Sequence, residues 1–220
     1  MLQVRRAFAK LSLAALCGAV LSFFSASATS ASGSLYDFCC FGDMPYLSVV
    51  DPTSSATGSL YGIATQSLSG GYGYAFALMK SGNSYTYQAI YKFCSAEHCT
   101  DGSTPDGRLI ADVNGNLYGV TLGGGLSDTQ PTGTAYELIP NADHSQWTRV
   151  TLYNFCQRSN CADGYTPSAG LTYVGAAAGQ PYDGVSPLYG VAATPDNRGL
   201  VYELVRGRRG VWSEKVIHTF

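Results

Sequence analysis

Three imperfect echoes of one pattern constrain this chain more than any other feature, because a unit that recurs in sequence at a period of roughly 50 to 60 residues recurs in structure. The clearest copy occupies residues 91–139. It opens on Tyr91-Lys92-Phe93-Cys94, passes through Cys99-Thr100-Asp101-Gly102 and Leu117-Tyr118-Gly119, crosses the glycine-rich loop Gly123-Gly124-Gly125 and closes on Tyr136-Glu137-Leu138. A second copy carries Tyr153-Asn154-Phe155-Cys156, Cys161-Ala162-Asp163-Gly164, Leu188-Tyr189-Gly190 and Tyr202-Glu203-Leu204. The weakest copy comes first, with Tyr36-Asp37-Phe38-Cys39, Leu60-Tyr61-Gly62 and Tyr74-Ala75-Phe76. The Tyr-x-Phe-Cys landmark returns at intervals of 55 and 62 residues, and Leu-Tyr-Gly at 57 and 71.

Inside one unit the strands follow from turn chemistry. Residues 108–112 form a short apolar run, Asn114-Gly115 supplies the residues a tight hairpin needs, and 117–121 returns beside it. After the glycine loop come strands at 134–139 and 147–155. Neither face of these is cleanly apolar, as expected where other sheets cover both sides. No long helical pattern occurs after residue 30. The chain is therefore expected to be all-β, a β-propeller-like array of about three four-stranded antiparallel blades. The repeats are placed at 35–90, 91–152 and 153–218 in a domain spanning 34–220. Propellers close with about four to eight blades, so three blades plus a leading strand at 35–39 predict an incomplete ring. It is expected to be the N-terminal portion of a longer array, or a protomer that completes its ring by association.

Residues 1–28 have the parts of an export signal: Arg5, Arg6 and Lys10, an apolar run from Leu11 to Phe24, and small residues at Ala26-Ser27-Ala28. The run is too short for a comfortable membrane span, so cleavage is expected, leaving no membrane span. Arg5-Arg6 fits either the ordinary or the twin-arginine route. Leu16 before Cys17 argues against a lipid anchor. Losing three of the 13 basic residues and none of the 15 acidic ones leaves a charge of roughly −5, no footprint for nucleic acid. An exported chain, periplasmic or extracellular, is the expectation.

Seven cysteines are encoded, and removal of Cys17 leaves Cys39, Cys40, Cys94, Cys99, Cys156 and Cys161. Cys94 and Cys99 enclose four residues, as do Cys156 and Cys161. Outside the cytoplasm such repeated pairs read as local disulfides, each stabilising by roughly 2 kcal/mol. Zinc would need four thiolates together, whereas these pairs fall in different repeats; no metal is expected. Cys39 matches the first member of each pair but has its neighbour Cys40 as partner, which leaves their state open.

The combination Tyr-x-Phe-Cys, Cys-x-Asp-Gly-x-x-Pro, Gly-Asn-Leu-Tyr-Gly-Val-Thr, a Gly-Gly loop and Gly-Thr-Ala-Tyr-Glu-Leu resembles the GloVer tandem repeat of bacterial exported proteins with varied anchors. The resemblance implies a propeller-like array and supplies no catalytic residues to carry over. Tyr136 and Tyr202 stand where that repeat usually has Phe. Residues 217–220, Ile-His-Thr-Phe, match the start of a further Tyr-x-Phe element.

Candidate chemistry is sparse. His98, His144 and His218 occupy three unlike positions, and no Gly-x-Ser-x-Gly elbow supplies a nucleophile. Asp112-x-Asn114-Gly115-Asn116 carries alternating oxygens as calcium loops do, but a plain hairpin turn is the expected reading. Asp101 with Asp163, and Glu137 with Glu203, recur between repeats, which points to structure rather than to the paired acids of a glycosidase. Tyr61, Tyr118 and Tyr189 are expected between blades. Tyr72, Tyr74, Tyr165 and Tyr182 are the candidate ligand-contacting aromatics, suited to a glycan or a cell-surface protein. The composite expectation is a non-catalytic binding or surface-assembly module without cofactor. The alternative is an extracellular polysaccharide hydrolase or lyase.

Overall fold

The computed structural model describes residues 43–50, 58–67, 71–126 and 132–220. The leader, the leading strand expected at 35–39, Cys39 and Cys40 lie outside the described residues.

Among the described residues, twelve strands follow one another in three groups of four. The first group is β1 (Asp43–Val50), β2 (Leu60–Ser67), β3 (Tyr74–Ser81) and β4 (Ser84–Lys92). The second is β5 (Ser103–Ala111), β6 (Leu117–Gly123), β7 (Thr134–Pro140) and β8 (Trp147–Asn154). The third is β9 (Tyr165–Tyr173), β10 (Leu188–Ala193), β11 (Leu200–Arg206) and β12 (Trp212–Thr219). Within each group every strand pairs antiparallel with the next, so each is a four-stranded meander. The first stands as its own sheet. The other two join into an eight-stranded sheet of order β12-β11-β10-β9-β5-β6-β7-β8.

That join is narrow. A single parallel bridge links Arg108 of β5 to Gly170 of β9, and the Ala169 amide donates to Asp106 at 2.8 Å. The backbones meet here because both strands carry glycine: a Cβ on Gly107 would lie 2.0 Å from the Gly170 nitrogen, and both residues have positive φ. Any side chain would push the two first strands apart.

β5 begins at Ser103, five residues before the run expected from sequence, and Asp112 lies past its end in the hairpin turn. The fourth strand of each meander holds one extra residue opposite Ala75/Phe76, Ala135/Tyr136 and Val201/Tyr202, namely Ile90, Leu152 and Ile217. This bulge breaks the alternation. It turns Leu152 inward while Val150, two residues earlier, stays exposed, which explains why neither face of 147–155 reads as apolar. Tyr91 and Tyr153 lie at the ends of β4 and β8, so the Tyr-x-Phe-Cys element leads out of one meander towards the next.

The core lies between meanders in two clusters. Tyr61, Ile63, Ala75 and Ala77 of the first meander meet Leu109, Leu117, Tyr136 and Leu138 of the second, with Phe93 among them. Ile110, Tyr118, Val120 and Ala135 leave the second meander's opposite face to meet Leu188, Leu200, Tyr202 and Leu204 of the third. Adjacent residues such as Leu117 and Tyr118 thus serve opposite interfaces, which is the period of two acting on a sheet buried on both sides.

One packing device occurs three times. The glycine of Leu-Tyr-Gly stands opposite an aromatic residue on the next strand: Gly62 opposite Phe76, Gly119 opposite Tyr136, Gly190 opposite Tyr202. The ring reaches over the glycine, and a Cβ at Gly119 or Gly190 would fall 2.5 or 2.2 Å from the tyrosine oxygen. The Phe of the preceding Tyr-x-Phe then packs on that ring, Phe93 on Tyr136 with centroids 5.0 Å apart and Phe155 on Tyr202 at 4.9 Å. The hydroxyls of Tyr136 and Tyr202 are buried without a hydrogen-bond partner. Phenylalanine would fill either seat as well.

Candidate functional site: repeated junctions and one uncovered face

Each crossing between meanders is closed by the same loop. Disulfides join Cys94 to Cys99 and Cys156 to Cys161, and both loops place three corresponding positions at positive φ: Cys94, His98 and Cys99, then Cys156, Asn160 and Cys161. A buried carboxylate organises the turn. Asp101 accepts from the Tyr91 hydroxyl at 2.8 Å and from the Ser95 and Ala96 amides at 2.9 and 3.2 Å. Asp163 accepts from the Tyr153 hydroxyl at 2.8 Å and from the Gln157 and Arg158 amides at 2.9 and 3.1 Å. Burial, then the hydrogen bond to the carboxylate, pushes both tyrosine pKa values above their ordinary value. With their oxygens committed to the turn, Asp101 and Asp163 are staples of the junction.

Beside each staple sits a residue that does not recur. Arg149 of β8 lies over the Tyr136 ring, 5.8 Å from its centroid, and donates to Thr151 and, at 2.8 Å, to Thr134. Burial lowers its pKa while the nearby Tyr91 and Asp101 favour the cation. Glu214 of β12, like Arg149 two residues past a tryptophan, takes the corresponding seat in the next junction. Its side chain is fully buried with Oε2 2.8 Å from Arg158 Nη2, and its Oε1 has no hydrogen-bond partner. Burial pushes its carboxyl up to about 7, against the pull of Arg158 and with a further push from Asp163.

The remaining candidates separate. Tyr118 is buried, its hydroxyl 2.7 Å from Glu137 and 3.1 Å from Asp112; Tyr189 reaches Glu203 at 3.0 Å in the matching place on the third meander. Asp112 also accepts from the Asn114 and Asn116 amides and the Asn116 side chain, so its oxygens close the hairpin turn. Among the described residues no group of three or more His, Cys, Asp or Glu could hold a metal. His98 sits 3.3 Å from Glu97 in the first disulfide loop, the His144 ring nitrogen lies 3.3 Å from the Tyr61 hydroxyl, and His218 packs against Phe220. They share no site.

Of the aromatics expected to meet a ligand, Tyr72 is exposed, and Tyr74 and Tyr165 are half-buried. Tyr182 is not available. It is 1% exposed, its ring stacks edge-on against Tyr118 at 5.1 Å, and its hydroxyl donates to the Ser186 carbonyl. The loop between β9 and β10 folds this ring into the second junction, a long-range placement that spacing does not encode.

Tyr165 belongs to a larger feature that sequence reasoning missed. It pairs with Ala193 at the edge of the third meander's outer face, the one turned away from the second meander. This face repeats what the other two meanders bury. Tyr61 and Tyr118 are buried, whereas Tyr189 is half-buried; Ile63 and Val120 are 0% exposed, whereas Val191 is 39%. Leu152 is buried, whereas Ile217 is 46% exposed. Phe93 and Phe155 are 0% and 1% exposed, whereas Phe220 is 62%. Phe220 nonetheless adopts their geometry: its amide donates to Gly199 at 3.1 Å as theirs do to Gly73 and Gly133, and His218 stacks on it as Tyr91 and Tyr153 stack on Phe93 and Phe155. A depression of about 480 Å³ opens on the same side, lined by Thr166, Ser168, Val191, Ala193, Asn197 and Phe220 among others. The echo of Tyr-x-Phe at 218–220 was the sequence signal that could have found it.

The described residues form an all-β array of repeated four-stranded meanders, with two stapled junctions and one uncovered face. No family model, curated protein or solved structure matches it.

Proposed function

We propose that the chain is an exported, non-catalytic binding or surface-assembly module, built from blade-like repeats of the GloVer type, whose working surface is the outer face of the third meander. The observation that carries this is the contrast at equivalent positions: Val191 and Phe220 are exposed where both counterparts are buried, and Ile217 is exposed where Leu152 is buried. An exposed apolar patch of this kind marks an interaction surface. The first-strand link between the second and third meanders, with cores between neighbouring meanders, supports the propeller-like reading. The two local disulfides suit an oxidising compartment, and among the described residues no helix is long and apolar enough to cross a membrane. Asp101, Asp163, Asp112 and Glu137 hold internal hydrogen bonds, which weighs against a pair of acids poised for polysaccharide cleavage. Glycan-array binding alongside a reducing-end assay tests the reading. Retention or assembly without sugar release is the expected result, and release from any polymer overturns it.

A further inference from the structure

We propose that the β11–β12 hairpin of the third meander, together with the turn at 183–186, binds an acidic polysaccharide, one bearing carboxylate or sulfate groups. This rests on the binding role of the chain and adds a second surface. Leu200 pairs with Thr219 at the Phe220 end of the β11–β12 ladder and Arg206 with Trp212 at the other, roughly 20 Å away along the strand. Three of the 13 basic residues, Arg206, Arg208 and Arg209, fall within four positions there, and beyond residue 28 no other stretch of that length holds more than one. The corresponding hairpins differ. The β3–β4 turn is Gly82-Asn83 and the β7–β8 turn spans 141–146; neither carries Lys or Arg. In the latter Asn141 donates to Ser145, and Ser145 to Asp143, so the turn satisfies itself. The repeat thus closes this hairpin without cations, and the arginines are free for another task.

Arg206 and Arg208 line a depression of about 350 Å³ with Val185, Gly207 and Gly210, in the size range of small-ligand sites. Arg206 is fixed across it, donating from Nη1 to the Gly184 carbonyl at 3.2 Å. One of its N–H donors is spent there, and the others remain for a ligand. Elsewhere Arg158 and Arg198 pair with Glu214 and Asp196, whereas among the described residues no carboxylate lies within ion-pair distance of Arg206, Arg208 or Arg209. Asp183, two residues before Val185, spends its oxygens on the Val185 and Ser186 amides and the Ser186 hydroxyl. A guanidinium fork takes two oxygens of one acidic group. Val185 and Val211, 58% and 70% exposed, set apolar surface beside these cations, which suits a sugar ring carrying an acidic substituent. No aromatic ring lines the depression for a base to stack on, and the chain is net acidic, which sets the site apart from one for nucleic acid.

The test is binding of the purified protein, in the form the cell exports, to immobilised carboxymethyl-dextran, dextran sulfate, plain dextran and polyglutamate. Binding to either charged dextran and not to plain dextran is expected, and the one that binds identifies the acidic group. Arg206→Gln and Arg208→Gln should each weaken that binding by roughly tenfold with circular dichroism unchanged. Arg208 has no hydrogen bond or ion pair among the described residues, so its variant keeps the test valid if Arg206→Gln loosens the 183–186 turn. Lys92→Gln, which removes the same charge from an exposed position on the first meander, should stay within about twofold of wild type. Failure to bind either charged dextran overturns the proposal, as does equal binding to plain dextran or an equal loss in Lys92→Gln. Polyglutamate bound as tightly overturns it too, in favour of an acidic protein partner. A neutral glycan held through Val191 and Phe220 is compatible with every one of these failures, so the loss of this site and the loss of the outer-face reading are distinguishable.

Discussion

The two junctions share a backbone, a disulfide loop and a carboxylate staple, yet one buries a cation and the other an anion at the same seat. Between the first and second meanders Arg149 is held by Thr134 and Thr151 over the Tyr136 ring. Between the second and third, Leu200 stands where Thr134 stood, and Glu214 has no hydroxyls to meet. Its counter-charge comes from Arg158 in the disulfide loop, two residues after Cys156; Ala96 occupies that place in the first loop. The difference teaches that the apolar stack and the staple define the repeat. The buried charge is a local solution, tolerated wherever some neighbour matches it.

The largest expected effect separates shared from unshared parts. Phe93→Ala and Phe155→Ala should each cost about 3–5 kcal/mol of unfolding free energy, the loss of a buried aromatic plus the cavity left behind. Phe220→Ala in dilute protein should stay within about 0.5 kcal/mol, because that ring is exposed. Denaturant melts read all three, and a large loss at Phe220 would erase the distinction between covered and uncovered faces.

Arg158→Ala attacks the second junction alone. It strips the cation from a buried carboxylate and should cost about 1–3 kcal/mol, with much of the loss restored by adding Glu214→Gln. The pH dependence follows. Glu214 titrates near 7 in the folded chain against an ordinary 4.5, so the folded state holds the proton more tightly. Its stabilising contribution is full below about pH 4.5 and is lost as pH rises through about 7. Glu214→Gln should flatten that decline, by something on the order of 1–3 kcal/mol across the window. A parallel stability profile in the variant would show that Glu214 is not the group responsible.

Opening one loop by Cys94→Ser with Cys99→Ser, or Cys156→Ser with Cys161→Ser, should cost about 2 kcal/mol each in the chain-entropy account. The two losses should be similar, since the loops have equal length and shape. The smallest change expected is a gain: Tyr202→Phe removes a buried hydroxyl with no partner and should be neutral or stabilising by up to about 1 kcal/mol.

The parts of this molecule written in sequence are those that local chemistry dictates. Asn114-Gly115 turns a hairpin, the spaced cysteines close their loops, and recurrence marks Asp101 and Asp163 as structural. What escaped the sequence depended on distance or on difference. The burial of Tyr182 needs a loop to fold across a junction, and the bulge at Leu152 hides an apolar face behind a mixed pattern. Arg149 and Glu214 leave no mark in the repeat pattern, because recurrence cannot reveal a position whose charge reverses. The uncovered face followed from no single residue; it emerged when the burial of Phe93, Phe155 and Phe220 could be compared.

That comparison can be measured in one experiment. Hydroxyl-radical footprinting of the wild-type protein, diluted until light scattering shows a monomer, reports side-chain access at Phe93, Phe155 and Phe220 together. Three equivalent meanders with one open face predict rapid labelling of Phe220 and protection of Phe93 and Phe155. Labelling of Phe155 as fast as Phe220 would contradict the stacking of the third meander on the second, and with it the account of the fold.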